Sequence, residues 1–160
     1  MRLVAIFLLP GLFVWLTSSG LPSVAASHFA AGGAANGFMP RSTYIFFMLA
    51  VTVLVPSLIA LSGRLIGALL VDLVNLPHRE HWLAPERREA TMASLSARGI
   101  VFAVLVAAFL CFVHWLVVRA NQAQPPRLEE TPFIGGLVLF GLATAIWLTM
   151  LFMRFQRVPR

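Results

Sequence analysis

The sequence predicts an all-α integral membrane protein, a bundle of four transmembrane helices with both termini on the cytoplasmic side and a short helix in the cytoplasmic middle loop. Three observations predict it. The 160 residues are 59% hydrophobic and only 11% charged, with a mean hydropathy of +0.87, whereas soluble proteins carry about 25% charged residues. Four apolar runs recur along the chain, centred on residues 3–20, 44–63, 99–118 and 133–153, against the roughly 20 residues a helix needs to span the hydrocarbon core. All twelve basic residues are Arg, and they cluster between alternate runs. Lipid, rather than water, is the natural solvent for such a chain.

The first run is short and contains Pro10 and Gly11. Arg2 in front and the small residues Val24-Ala25-Ala26 behind allow an alternative as a cleaved leader. The distance from the apolar stretch to Ala26 is long for that, so a retained helix is expected. The second run carries Pro56, which should kink it and free a backbone carbonyl near Thr52. Residues 65–76 prolong it past Arg64, with only Asp72 and Asn75 polar; this stretch either continues a long tilted helix or bends into the interface. The third run carries Ala103, Ala107 and Cys111 at four-residue spacing, the fourth carries Gly136, Gly141 and Ala145, and Gly63 and Gly67 form a GxxxG. Lipid gives no hydrophobic drive for helix association, so such small residues are expected at bundle contacts.

Arginine bias sets the expected orientation. Arg2, Arg64, Arg79, Arg87, Arg88, Arg98, Arg154, Arg157 and Arg160 fall on one side, and Arg41, Arg119 and Arg127 on the other. Loops 21–43 and 119–132 are therefore expected outside, and loop 64–98 in the cytoplasm. Trp15 and Trp115 at outer span ends suit the headgroup region. The net charge of +6 does not point to nucleic acid, because the arginines are dispersed between apolar runs instead of forming one hydrated basic surface. The lone Cys111 forms no intrachain disulfide.

Two loops carry motifs. The outer one holds Leu21-Pro22, His28-Phe29, Gly33, Asn36-Gly37 and Arg41; Asn36-Gly37 is the turn signal, since both tolerate positive φ, and a short hairpin or tight turn between two spans is expected there. The inner one reads LPHREHWLAPERREAT from Leu76 to Thr91. Pro85 suits the first position of a helix and Glu86 its first turn, so a short helix over 85–97 is expected, with Trp82 and Leu83 tucked into the membrane interface.

The outer motif resembles the bacterial membrane domain of unknown function at the start of the immunity protein against the sporulation-delaying toxin. The resemblance lies at Leu21, Pro22, His28, Phe29, Gly33, Gly37 and Arg41, and departs at Asn36, where the family has Asp, and Phe38, where it has Trp. The inner motif is similar to a Tyr-Trp-Leu-Ala-Pro-Glu-Arg-Arg phrase of stand-alone members, with His81 in place of the Tyr. The resemblance implies a membrane module; the immunity protein's second domain has no counterpart in these residues.

Candidate chemistry is sparse. His78, Glu80 and His81 lack the three or four ligands of defined geometry that zinc needs, so no metal and no cofactor is expected. His114 lies about one turn inside the outer end of the third run, where a polar group faces the bundle or a wet cavity. With His28 it could sense pH or hold a ligand, the plain alternative being a hydrogen-bonded packing histidine. Glu86, Arg87, Arg88 and Glu89 alternate in sign as a solvated helix surface does, and each Arg beside anionic lipid is worth about 1 kcal/mol. The expectation is a non-enzymatic accessory or regulatory membrane protein. It would contact the bilayer and a membrane-protein partner through His28, Phe29, Gly33, Asn36, Gly37 and Arg41 outside and Trp82, Pro85, Glu86, Arg87 and Arg88 inside. A sensing or toxin-immunity module, or a transporter or enzyme with a site at His114, is the alternative.

Overall fold

A computed structural model of the chain describes residues 2–69 and 74–156; Asp72, Arg157 and Arg160 lie outside them. The elements are helix α1 (Arg2–Thr17) with a 3-10 turn at Ser18–Gly20, strands β1 (Val24–Phe29) and β2 (Ala35–Pro40), and helices α2 (Arg41–Leu69), α3 (Arg79–Trp82), α4 (Pro85–Gln122) and α5 (Glu130–Gln156).

Among the described residues, three helices are long and apolar enough to cross a membrane: α2 over Arg41–Gly63, α4 and α5. The first run is not. Its α1 has 16 residues, about 24 Å at 1.5 Å per residue, short of the roughly 30 Å core. Residues 65–69 continue α2 as helix, and Pro56 sits inside it without ending it. The polypeptide then becomes irregular at 74–76.

The expected short helix over 85–97 does not stop. Pro85 opens α4 at its first turn, and one helix of 38 residues runs through to Gln122, about 57 Å by the same rise. Neither Gly nor Pro breaks the sequence between Glu86 and Arg98, and Gly99, a site of about 1 kcal/mol helical penalty, lies against the backbone carbonyl of Ile59. The loop helix and the third span are one rod.

The chain is not wholly α-helical. An antiparallel hairpin joins α1 to α2, in the register Val24↔Pro40, Ala25↔Met39, Ala26↔Phe38, His28↔Gly37, Phe29↔Ala35, with irregularities on either side of His28. Its turn is not at Asn36-Gly37, which lies within β2. Gly32 and Gly33, with φ of 87° and 76°, make the turn instead. Two successive positive φ angles suit a Gly-Gly pair better than any other. Gly37 serves close approach of the strands, since a Cβ there would come within 3.0 Å of His28 Cβ.

Helices α1, α2 and α4 pack together, and their shared core at the hairpin end comprises Val14, Leu21, Ala25, Tyr44, Met48, Val117 and Val118, with Phe29 and Met39 of the hairpin laid on it. The small-residue seam of α4 is used: Ala103 is fully buried and Ala107 nearly so. Gly63 is needed too, since a Cβ there would stand 2.8 Å from Ser96 Cα. Helix α5 rests on α4 alone among the strong helix pairings. Gly136 admits the Phe112 ring, while Phe109 stacks on Phe140 at 4.4 Å and Phe102 on Trp147 at 4.6 Å. Gly141 faces open space, so this part of the expected α5 seam makes no bundle contact. None of the most apolar stretch of α5 is buried within the protein. Large side chains such as Phe46, Leu139 and Ile146 are more than half exposed, a surface far more apolar than a soluble monomer carries in one patch. This is a membrane protein.

Candidate functional site

At the hairpin end, the sheet is tied down by a side chain of α4 and by the backbone of the 126–128 segment. Asn121, in the last turn of α4, accepts from Ala26 N–H at 2.8 Å and donates from Nδ2 to Ala26 C=O at 2.9 Å. The same Nδ2 also donates to Val117 C=O, one turn back. One amide thus does for β1 what a neighbouring strand residue would do, satisfying both backbone groups of a fully buried residue. Residues 126–128 secure the tip. Leu128 N–H donates to Gly33 C=O at 2.8 Å, Ala35 N–H to Pro126 C=O at 3.4 Å and Arg127 Nε to Gly32 C=O at 3.1 Å, while Glu130 accepts from Gly32 N–H. Arg119 and Glu129 close the second loop with an exposed ion pair of 2.8 Å.

The motif residues divide on this platform. Phe29 turns towards the core. Gly33 gives its carbonyl to Leu128. Arg41 opens α2 and donates its backbone N–H to Ser23 C=O. His28, Asn36 and Phe38 are exposed, and His28 bonds the Ser27 hydroxyl at 3.1 Å.

His114 is fully buried beneath the platform. Its Nε2 lies 2.8 Å from Thr17 Oγ1 and its Nδ1 2.9 Å from the Tyr44 hydroxyl. Thr17 has one hydroxyl proton, which goes to Phe13 C=O at 2.7 Å. The arrangement that satisfies every group therefore has Nε2–H donating to Thr17 and the Nδ1 lone pair accepting from Tyr44. This is a neutral imidazole with both nitrogens taken. The Tyr44 ring stacks on it at 5.7 Å and Phe13 meets it edge-on at 6.1 Å. Histidines 28 and 114 have separate partners, and the latter joins α1, α2 and α4.

The opposite end is organised by Trp82. Its ring is buried, its Nε1 donates to Phe155 C=O at 2.8 Å, and its own carbonyl accepts from Thr91 Oγ1 at 2.8 Å. Phe155 meets the indole edge-on, and the Arg154 guanidinium lies 4.9 Å from it. Trp82 is thus a protein-buried clasp between the start of α4 and the end of α5, not an anchor in lipid. Trp147 adds a second tie, donating to Arg98 C=O at 3.1 Å. Glu86, Arg87 and Arg88 are exposed on the first turn of α4, where Pro85 stands at the start. Arg87 reaches His81 Nδ1 at 3.3 Å. Desolvation, and then the positive charges of Arg87 and His78, hold the His81 imidazole below its usual pKa.

Sequence reasoning passed over Asn121, Thr17 and Tyr44. A polar residue ending an apolar helix is the one signal that could have marked Asn121. Comparison with protein-family models, curated proteins and solved structures finds no match to this chain.

Proposed function

We propose that the chain is a non-enzymatic accessory or regulatory protein of the bacterial inner membrane that offers its hairpin platform to a membrane-protein partner. The observation that carries this is the clamped hairpin: Asn121, Leu128 and Glu130 hold its backbone, while His28, Asn36 and Phe38 remain exposed. A rigid surface with exposed aromatic and imidazole groups is what a recognition site needs, because binding then costs little ordering entropy. The arginine bias supports an orientation with the platform outside and the segment between α2 and α4, together with the C-terminus, inside. The exposed Glu86, Arg87 and Arg88 form the second contact surface, in the cytoplasm.

The exposure of His28 equally favours the second reading, an extracytoplasmic sensing or toxin-immunity module. His114 supports neither transport nor catalysis, since both its nitrogens are committed to Thr17 and Tyr44. A photo-crosslinking residue at Phe38, activated in intact membranes, separates these outcomes. A discrete protein adduct is expected there, and lipid adducts only from a control at Leu139. Lipid adducts from both sites would defeat the partner reading. Loss of function in His28→Ala at unchanged abundance, without any protein adduct, would favour the sensor.

A further inference from the structure

The Trp82 end also carries two adjoining apolar clefts that together form a slot. One cavity of about 530 Å³ lies between α2, α4 and α5, with Ser62 and Asn75 as polar wall residues. A second, of about 470 Å³, runs on past Pro77 along α5 to Phe155. Asn75, Leu76 and Leu151 line both, so the two share walls from the middle of the slot to its end. A partner helix, a cylinder about 10 Å across, does not enter a slot of this size between elements of one chain. A single hydrocarbon chain does.

The slot ends beside a cation. Arg154 lies 4.9 Å from the Trp82 ring and 6.0 Å from Phe155, the residue that lines the slot's end. Its guanidinium is exposed and, among the described residues, has no carboxylate or carbonyl acceptor. Stacking fixes the plane of the group and leaves its edge N–H donors, a fork that matches phosphate oxygens. Arg79, Arg87 and Arg88 stand at the same end, on α3 and the first turn of α4, which favours an anionic over a zwitterionic headgroup.

We propose that this slot is a specific site for an anionic phospholipid, one acyl chain lying along Leu151 and the phosphate paired with Arg154. The site is independent of the platform at the other end.

The test is native mass spectrometry of the full chain taken from bilayers of equal phosphatidylglycerol and phosphatidylcholine. Wild type should retain phosphatidylglycerol preferentially. Arg154→Gln should lower that retention about fivefold, the factor equivalent to about 1 kcal/mol per basic group at an anionic surface, and Arg154→Lys should keep most of it. Leu151→Trp, which fills the slot, should lower retention of both lipids. Inorganic phosphate has the charge without the chain and should displace neither. Equal retention of the two lipids by wild type, displacement by phosphate, or wild-type retention in both Arg154→Gln and Leu151→Trp would overturn the site. If Arg154→Gln melts early in detergent, Arg154→Lys and Leu151→Trp decide the matter by themselves.

Discussion

Replacing Asn121 by Ala tests whether a single amide holds the hairpin on the bundle. In the wild type that side chain satisfies Ala26 N–H and C=O and returns a bond to Val117 C=O. Alanine removes all three bonds and leaves two backbone groups of a fully buried residue without partners. A buried group left unsatisfied costs about 1–3 kcal/mol. Water can reach the end of α4 more easily than its middle, so the low end of that range applies, about 2 kcal/mol for the pair. That corresponds to roughly 30-fold easier opening of the strand. Hydrogen exchange of peptides covering residues 24–40 reads it directly: protection should fall about 30-fold there, while peptides from α2 and the middle of α4 hold their protection. Asn121→Asp should restore the acceptor for Ala26 N–H but not the donor, and so fall between the two. Exchange of residues 24–40 at the wild-type rate in Asn121→Ala would mean that packing of Ala25, Phe29 and Met39 on the core, and not the amide, secures the sheet.

Three further outcomes are expected. At the hairpin turn, Gly33→Ala should release the 126–128 segment, because a Cβ would collide with the Leu128 carbonyl oxygen, whereas Gly32→Ala meets no atom within 4 Å and carries only the positive-φ cost of about 1 kcal/mol; equal loss of Leu128 amide protection in both would refute the clash. Trp82→Phe keeps an aromatic ring against Phe155 but removes the donor to its carbonyl, so the thermal transition in detergent should drop by about 1 kcal/mol of stability, and a wild-type transition would show that bond to be immaterial. His81, held low by desolvation, Arg87 and His78, should titrate by NMR below the usual value of about 6.5. Because the folded imidazole takes its proton less readily than the unfolded one, its contribution to stability is present above that value and lost as pH falls through it; a midpoint at or above the free-histidine value would contradict this.

The long spans were legible because hydropathy over twenty residues outlasts any local ambiguity. The hairpin was legible only as a turn between two spans, not in its strands or register. Its first strand, Val24–Phe29, is half Ala and Ser, which have little β-propensity, and Asn36-Gly37 advertised a turn that Gly32-Gly33 makes. Choosing between two turn signals a few residues apart requires knowing which register lets Phe29 and Met39 face the core, and that is tertiary information. The inner motif was legible as a motif, yet an aromatic beside an apolar run reads equally as lipid anchor and as buried clasp. Only the position of Phe155, 73 residues on, separates them. For His114 the sequence contains the plain reading, a hydrogen-bonded packing group. It does not contain the partners, because Thr17 and Tyr44 lie on other helices and carry no local signal.

These ties have one thing in common: they converge on α4. At one end Asn121 takes the hairpin and His114 takes α1 and α2. At the other, Thr91 takes the Trp82 carbonyl and the Arg98 carbonyl takes Trp147 of α5. A helix of about 57 Å at 1.5 Å per residue exceeds the roughly 30 Å hydrocarbon thickness, so each end can hold structure beyond the bilayer core. Bonds between side chains in lipid average only about 0.6 kcal/mol, because the separated helices find other partners. The Asn121 and Thr91 bonds instead engage backbone groups of β1 and of the last residue of α3, which have no helical partner to fall back on, and there an unmade bond costs more.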